Sequence, residues 1–121
     1  MKTEKRLIKF RGKRIKDGKW VYGYLSAKCQ ITTSLNSEEG NAVHLVNSDT
    51  VGQFTGLEDE NGKEIYEGDY VNCRVTCEPK PQYRLSVEFF MGSWCFVSEE
   101  LDDVNTADTV EIFEVSGNIY D

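Results

Sequence analysis

The side chains with which this chain could do chemistry are four cysteines, one histidine and a cluster of carboxylates. Cys73 and Cys77 invite a metal or disulfide reading, and the local pattern argues against it. Val71, Cys73, Val75 and Cys77 alternate with Tyr70, Asn72, Arg74 and Thr76, which is the period of a half-buried strand. Both cysteines then fall on the apolar face, about 13 Å apart at roughly 3.3 Å per residue. A disulfide needs Cα atoms within about 7 Å, and a shared zinc needs its sulfurs closer still. With Cys29 and Cys95 they are expected to be reduced, structural thiols. No metal and no cofactor is expected.

The carboxylates Glu58, Asp59, Glu60, Glu64, Glu67 and Asp69 surround a glycine, as in a calcium loop, whose glycine is sixth. Counting back from Gly62 puts Leu57 first, which cannot ligate, so a solvated acidic face is expected instead. His44 sits between Val43 and Leu45 in an apolar stretch and reads as an ordinary strand residue. No Gly-x-Ser-x-Gly, phosphate loop or dinucleotide glycine pattern is present. No catalytic residue is therefore assigned, and the chain is not read as an enzyme.

Binding chemistry is better represented. Trp20, Tyr22 and Tyr24 alternate along one segment, beside Arg11, Lys13, Arg14, Lys16 and Lys19. Three readings stay open for this stripe: the inner face of a small β core, a self-association surface, or rings that stack single-stranded bases while the cations hold phosphates. The charge is uneven. Residues 1–20 carry nine basic and two acidic side chains, whereas everything after residue 98 holds eight acids and no Lys or Arg. A basic segment beside an acidic remainder can pair within one chain or with another copy, and can offer an anion a local patch despite the total of −7.

These residues must be positioned by short strands. The length, 121 residues, suits one domain with its own core. Apolar runs reach about four residues, as in 94–97, against the ~20 that a membrane helix needs, and the first residues, MKTEKRLIKF, do not read as a signal peptide. A cytoplasmic protein is expected. Strands are expected at 6–11, 20–25, 28–33, 42–46, 51–55, 69–77, 83–90, 94–97, 109–115 and 117–120. Tyr83, Leu85, Val87 and Phe89 should share a face. Lys16-Asp17-Gly18-Lys19 and Glu60-Asn61-Gly62-Lys63 read as tight turns, 34–41 as a polar loop, and Ser98 as the cap of a short helical turn over 99–104. The expected fold is mostly β: one small domain of antiparallel strands, a barrel or a sandwich with an SH3-like barrel portion.

The stretch Val51-Gly52-Gln53-Phe54-Thr55-Gly56-Leu57-Glu58-Asp59-Glu60-Asn61-Gly62-Lys63-Glu64-Ile65-Tyr66-Glu67-Gly68-Asp69-Tyr70-Val71 resembles the signature block of the YopX family. Ile8-Lys9-Phe10-Arg11, Trp20-Val21-Tyr22-Gly23-Tyr24 and Gly117-Asn118-Ile119-Tyr120 match in the same order. Family members commonly run on past the Asn-Ile-Tyr segment, whereas this sequence stops at Asp121. The resemblance implies a predominantly β fold over 1–121, with a basic hairpin at 1–25 and the signature at 51–71, and a phage or prophage origin in a bacterial host. It brings no activity with it. Within the block, Gly56, Asp59, Asn61, Gly62, Gly68 and Asp69 read as turn-formers, with Ile65 and Tyr66 as apolar anchors. The expectation for function is a non-enzymatic module that binds a protein partner, as a homo-oligomer. The alternative is a nucleic-acid-binding accessory factor that uses the basic arm and the aromatic stripe.

Overall fold

A computed structural model describes residues 8–33, 42–101 and 104–121. Alternation and turn residues produce eleven strands there: β1 (Phe10–Lys13), β2 (Trp20–Ala27), β3 (Gln30–Thr32), β4 (Val43–Leu45), β5 (Gly52–Glu58), β6 (Glu64–Tyr66), β7 (Asp69–Val75), β8 (Tyr83–Phe90), β9 (Ser93–Val97), β10 (Asn105–Thr106) and β11 (Val110–Asn118). The helical content of these residues is two single 3-10 turns, Ser48–Thr50 and Ala107–Thr109. The chain is mostly β, as expected. Its strands form two open antiparallel sheets, so the barrel alternative gives way. Contacts divide the chain into two compact units, Met1–Gly56 and Leu57–Asp121. The division follows Gly56, whose φ of 87° lies in the left-handed region that glycine enters without cost.

In the first unit the strand order is β4-β3-β2-β1-β5. Lys16-Asp17-Gly18-Lys19 turns β1 into β2, with Arg14 N–H donating to the Lys19 carbonyl at 2.9 Å. Phe10 pairs with Gly23 on one side and Gln53 on the other. The inner face is thin: Ile31 and Val46 are fully buried, and Gly12 lies against both. Gly23 is there for space. A Cβ on it would come within 2.2 Å of the Thr32 carbonyl oxygen, where β3 crosses close to β2.

In the second unit the sheet runs β10-β9-β8-β7-β11. Its core is dense, with Ile65, Val71, Cys73, Val75, Tyr83, Leu85, Val87 and Phe96 packed together. The alternation expected of β7 and β8 is thus borne out through Val75 and Val87. It fails at both ends. Cys77 is exposed, with a φ of 69°, because the chain has already turned: Glu78 N–H donates to the Val75 carbonyl at 3.2 Å. Phe89 is 53% exposed because β7 pairs with β8 only as far as Ser86, so nothing of β7 lies beside it.

Other boundaries shift for local reasons. The two closing strands expected at 109–115 and 117–120 are one strand, β11, with register shifts between Ile112 and Glu114 and between Val115 and Gly117. β6 forms where only two apolar anchors were expected. Ser98 does accept a hydrogen bond from Glu100 N–H, at 3.1 Å, but Leu101 N–H returns to the Ser98 carbonyl and closes a turn instead of a helix. The polar loop at 34–41, residues 1–7 of the basic arm and residues 102–103 lie outside the described residues.

Candidate functional site

From Leu57 on, the signature block is a structural device of the second unit. Asp59 is buried. Its Oδ1 accepts from the N–H groups of Asn61 and Lys63, each at 2.9 Å, and its Oδ2 accepts from Val115 N–H at 3.0 Å. Burial pushes this carboxyl's pKa up; the three amides and the nearby Lys63 charge outweigh it and hold the pKa below the ordinary value. One side chain therefore both shapes the Asn61-Gly62 turn and pins it to β11. Asp69, also buried, accepts from Tyr66 N–H at 2.8 Å, which fixes the Gly68 turn between β6 and β7. Ile65 and Tyr66 are anchors in the core as expected. The expected solvated acidic face is thus corrected: Glu58 and Glu60 are exposed, but Asp59 and Asp69 are buried acceptors.

The matched segments also meet one another. Gly68 has a φ of 92°, and a Cβ there would lie 2.9 Å from the Tyr120 ring. Its carbonyl accepts from Ile119 N–H at 2.9 Å, and Asn118 pairs with Asp69. In the first unit, Arg11 pairs with Tyr22 and with Gly52. The segments that carry the resemblance are hydrogen-bonded neighbours within each unit, so their spacing in the sequence serves the fold.

The basic and aromatic residues of β1 and β2 share one face of the first sheet, which is covered at Arg11 and Phe54 and open at Tyr24. Cross-strand partners share a face, so Arg11 and Lys13 stand beside Tyr22 and Trp20. The core reading of the stripe is overturned for the two tyrosines: Tyr22 is 45% exposed and Tyr24 62%. Trp20 is half-buried, and its ring is already occupied, with the Arg11 guanidinium 4.4 Å from its centre and Lys13 Nζ at 5.4 Å. Arg11 is only 5% exposed and contributes no open surface. Arg14 is engaged by Asp17 in a two-point ion pair. That bond, with Lys19 N–H, draws the Asp17 carboxyl down to about 2. Lys16 and Lys19 are exposed beside it. A cleft of about 560 Å³ opens next to this turn, lined by Lys13, Arg14, Ile15, Val46 and Thr50 among others.

Sequence reasoning missed a further surface, the tip of the β8–β9 hairpin. Phe89, Phe90 and Met91 are 53%, 56% and 88% exposed, and Phe89 packs edge-on to Trp94 with ring centres 4.9 Å apart. Met91 holds a φ of 49°, a conformation that a β-turn usually assigns to Asn or Gly. The missed signal was the apolar run immediately before a Gly turn, which was absorbed into strand alternation.

The four cysteines are free thiols: Cys29 and Cys77 exposed, Cys73 and Cys95 buried. Cys77 therefore corrects the expectation of a shared apolar face. Burial pushes the Cys73 thiol up to about 11, so it stays protonated. His44 is half-buried on β4 opposite Ile31.

No curated protein and no solved structure matches the chain. The YopX protein family matches it over residues 4–121, nearly the whole length. A match of that extent shows the family, and the chain belongs to the YopX family.

Proposed function

We propose that this protein acts by binding another protein and not by catalysis, and that its first partner is a second copy of itself. The observation that carries the reading is the apolar hairpin tip, Phe89-Phe90-Met91, on a unit of strong negative charge. Residues 57–121 hold sixteen acids and four basic residues, a net −12, while residues 1–56 hold five and ten, a net +5. Aromatic and methionine side chains are enriched at the cores of protein interfaces, and opposite charge steers their approach. The cleft beside this turn, with Ile15 67% exposed at its edge and Lys16 and Lys19 exposed on the turn itself, offers a copy's tip both an apolar seat and nearby positive charge. A tip-to-cleft contact joins unlike surfaces, so it closes into a ring or extends as a chain of copies.

The carboxylates argue for structure over chemistry. Asp59, Asp69 and Asp17 are each committed to backbone amides or to Arg14. With the family resemblance, this supports an accessory protein of phage or prophage origin working in the cytoplasm of a bacterial host. The test is sedimentation velocity across concentration. The wild-type chain should gain mass as concentration rises, and less so at high salt; Phe90→Ser with Met91→Asn should stay monomeric. A wild-type chain that is monomeric throughout ends the self-docking reading. A tip variant that assembles like the wild type removes the tip from it.

A further inference from the structure

We propose that the Asn61-Gly62 junction is a site of spontaneous backbone modification, a succinimide-forming pair that the Asp59 turn holds closed and that reacts when the turn opens. The inference concerns the fold of the second unit and does not depend on docking of the hairpin tip. Asn61-Gly62 is the one Asn-Gly pair in the sequence. In such a pair the glycine nitrogen can reach the carboxamide carbon one residue back, because no Cβ obstructs its approach. Solvent hydroxide takes the Gly62 amide proton, the nitrogen bonds to Cγ of Asn61, and the bond from Cγ to the side-chain nitrogen breaks. That nitrogen takes a proton from water and leaves as ammonia. Water then opens the ring, on one side to an ordinary aspartyl residue and on the other to an isoaspartyl residue, whose main chain runs through Cγ. The balance is amide plus water giving acid plus ammonia, with nothing oxidised or reduced.

Reactivity and restraint are both built into the turn. Asn61 is exposed, and its carboxamide makes no hydrogen bond among the described residues. Nothing lies within 4 Å of where a Cβ on Gly62 would stand, so the ring has room. The attacking nitrogen, however, is occupied: Gly62 N–H donates to the Asp59 carbonyl at 3.0 Å. The N–H groups of Asn61 and Lys63 on Asp59 Oδ1 hold the backbone on either side. Turning the Gly62 nitrogen toward Cγ rotates the Asn61 backbone and breaks these bonds. The turn is itself fixed to β11, through Val115 N–H on Asp59 Oδ2 and Glu60 N–H on the Phe113 carbonyl at 3.1 Å. The reaction rate therefore reads how often the turn and β11 part. Asp17-Gly18 in the first unit supplies a contrast, since it would form the same ring by losing water. There Gly18 N–H donates to the Arg14 carbonyl at 2.8 Å, and the carboxylate, taken up by Arg14, stays ionised and a poor electrophile. An isoaspartyl link adds one carbon to the main chain before Gly62, which carries Lys63 N–H out of register with Asp59. The product cannot rebuild the turn, so a chain that has opened there is marked for good.

The experiment incubates the full chain at physiological temperature and mildly alkaline pH, then digests samples with pepsin in acid, where the reaction stops. Mass spectrometry follows the asparaginyl, aspartyl and isoaspartyl forms of the peptide that spans position 61. The folded chain should react about tenfold more slowly, or slower still, than the same chain in urea, because the reaction waits on the open fraction. Asp59→Ala, shown to be folded by circular dichroism, should close most of that gap. Asn61→Gln should keep the fold and stay unmodified in both states, because its longer side chain would have to close a larger ring. No product in urea overturns the site. Equal rates in the folded and the urea-unfolded chain overturn the gate, and so does a folded Asp59→Ala that reacts no faster than the wild type. If Asp59→Ala does not fold, the wild-type chain decides: in urea below the unfolding transition its rate should rise in step with hydrogen exchange at the Asn61, Lys63 and Val115 amides. A rate that stays flat while those amides exchange overturns the inference. The isolated isoaspartyl form should have lost protection at Val115 N–H, and protection retained there overturns the claim that the turn cannot be rebuilt.

Discussion

The two compact units differ in where they put their aromatic residues and their charge. The second unit buries Tyr83, Leu85 and Phe96 in one dense core, with Tyr66 buried as well, and carries an exposed apolar hairpin tip on an acidic unit. The first unit has little core, Ile31 and Val46 on one face and Phe54 on the other, and leaves Tyr22 and Tyr24 exposed near cations. The lesson is that burial tracks coverage more than hydrophobicity. A strand alternation says which side chains point the same way, and what packs over that face decides whether it is covered.

This difference can be broken or sharpened in order of size. Leu85→Ala removes a fully buried side chain from the dense core and should cost about 3–5 kcal/mol by chemical denaturation. Ile31→Ala should cost less, because the thin layer around it can collapse into the gap. Equal losses would mean that the two cores are alike. Asp59→Ala should cost about 2–4 kcal/mol, since three backbone N–H groups lose their acceptor. Gly23→Ala should cost about 1–3 kcal/mol and should raise hydrogen exchange in β3 and β4 while leaving β7 and β8 protected.

Acid sharpens the contrast between the two bonded aspartates. Asp59 is held below its ordinary pKa in the folded chain, so its contribution is complete above about pH 4 and is lost as pH falls through the lowered value. Denaturation midpoints should therefore fall less steeply on acidification in Asp59→Asn than in the wild type. Asp17 is also lowered, to about 2, but it lies on an exposed turn where solvent screens the pair, so Asp17→Asn should leave the acid limb unchanged. The smallest effect is chemical. Cys29 and Cys77 should be alkylated in the native protein, with Cys73 and Cys95 labelled only after unfolding, as mass spectrometry of the peptides would show.

Much of the fold was legible because its strands are bounded by strong turn chemistry. Asp17-Gly18 and Asn61-Gly62 turn where expected, and Asp59 accepts from the turn that follows it. The 71/73/75 and 83/85/87 alternations found the second core. The same alternation overreached at Cys77, where Pro79 two residues on was the warning that the strand had ended. It overreached again at Phe89, where only pairing partners, which a sequence does not list, could show that the hairpin outruns β7. The candidate surface was half legible. The residue types of the stripe were plain, but both faces of 20–25 carry apolar side chains, so only what packs over each face could tell buried from exposed. That Trp20 serves as a seat for Arg11 and Lys13 depends on cross-strand register and left no local mark.

The pairing of β11 with β7 also sets an order of events during synthesis. The first unit, to Gly56, is made before β7 begins. The second must wait for residues 110–118 to reach β7, and for Ile119 to reach Gly68. Until then one side of β7, with Val71 and Val75 on it, has no strand beside it, and such an open edge accepts any chain that offers one. The segment that closes that edge follows β7 only after the whole β8–β9 hairpin has been made.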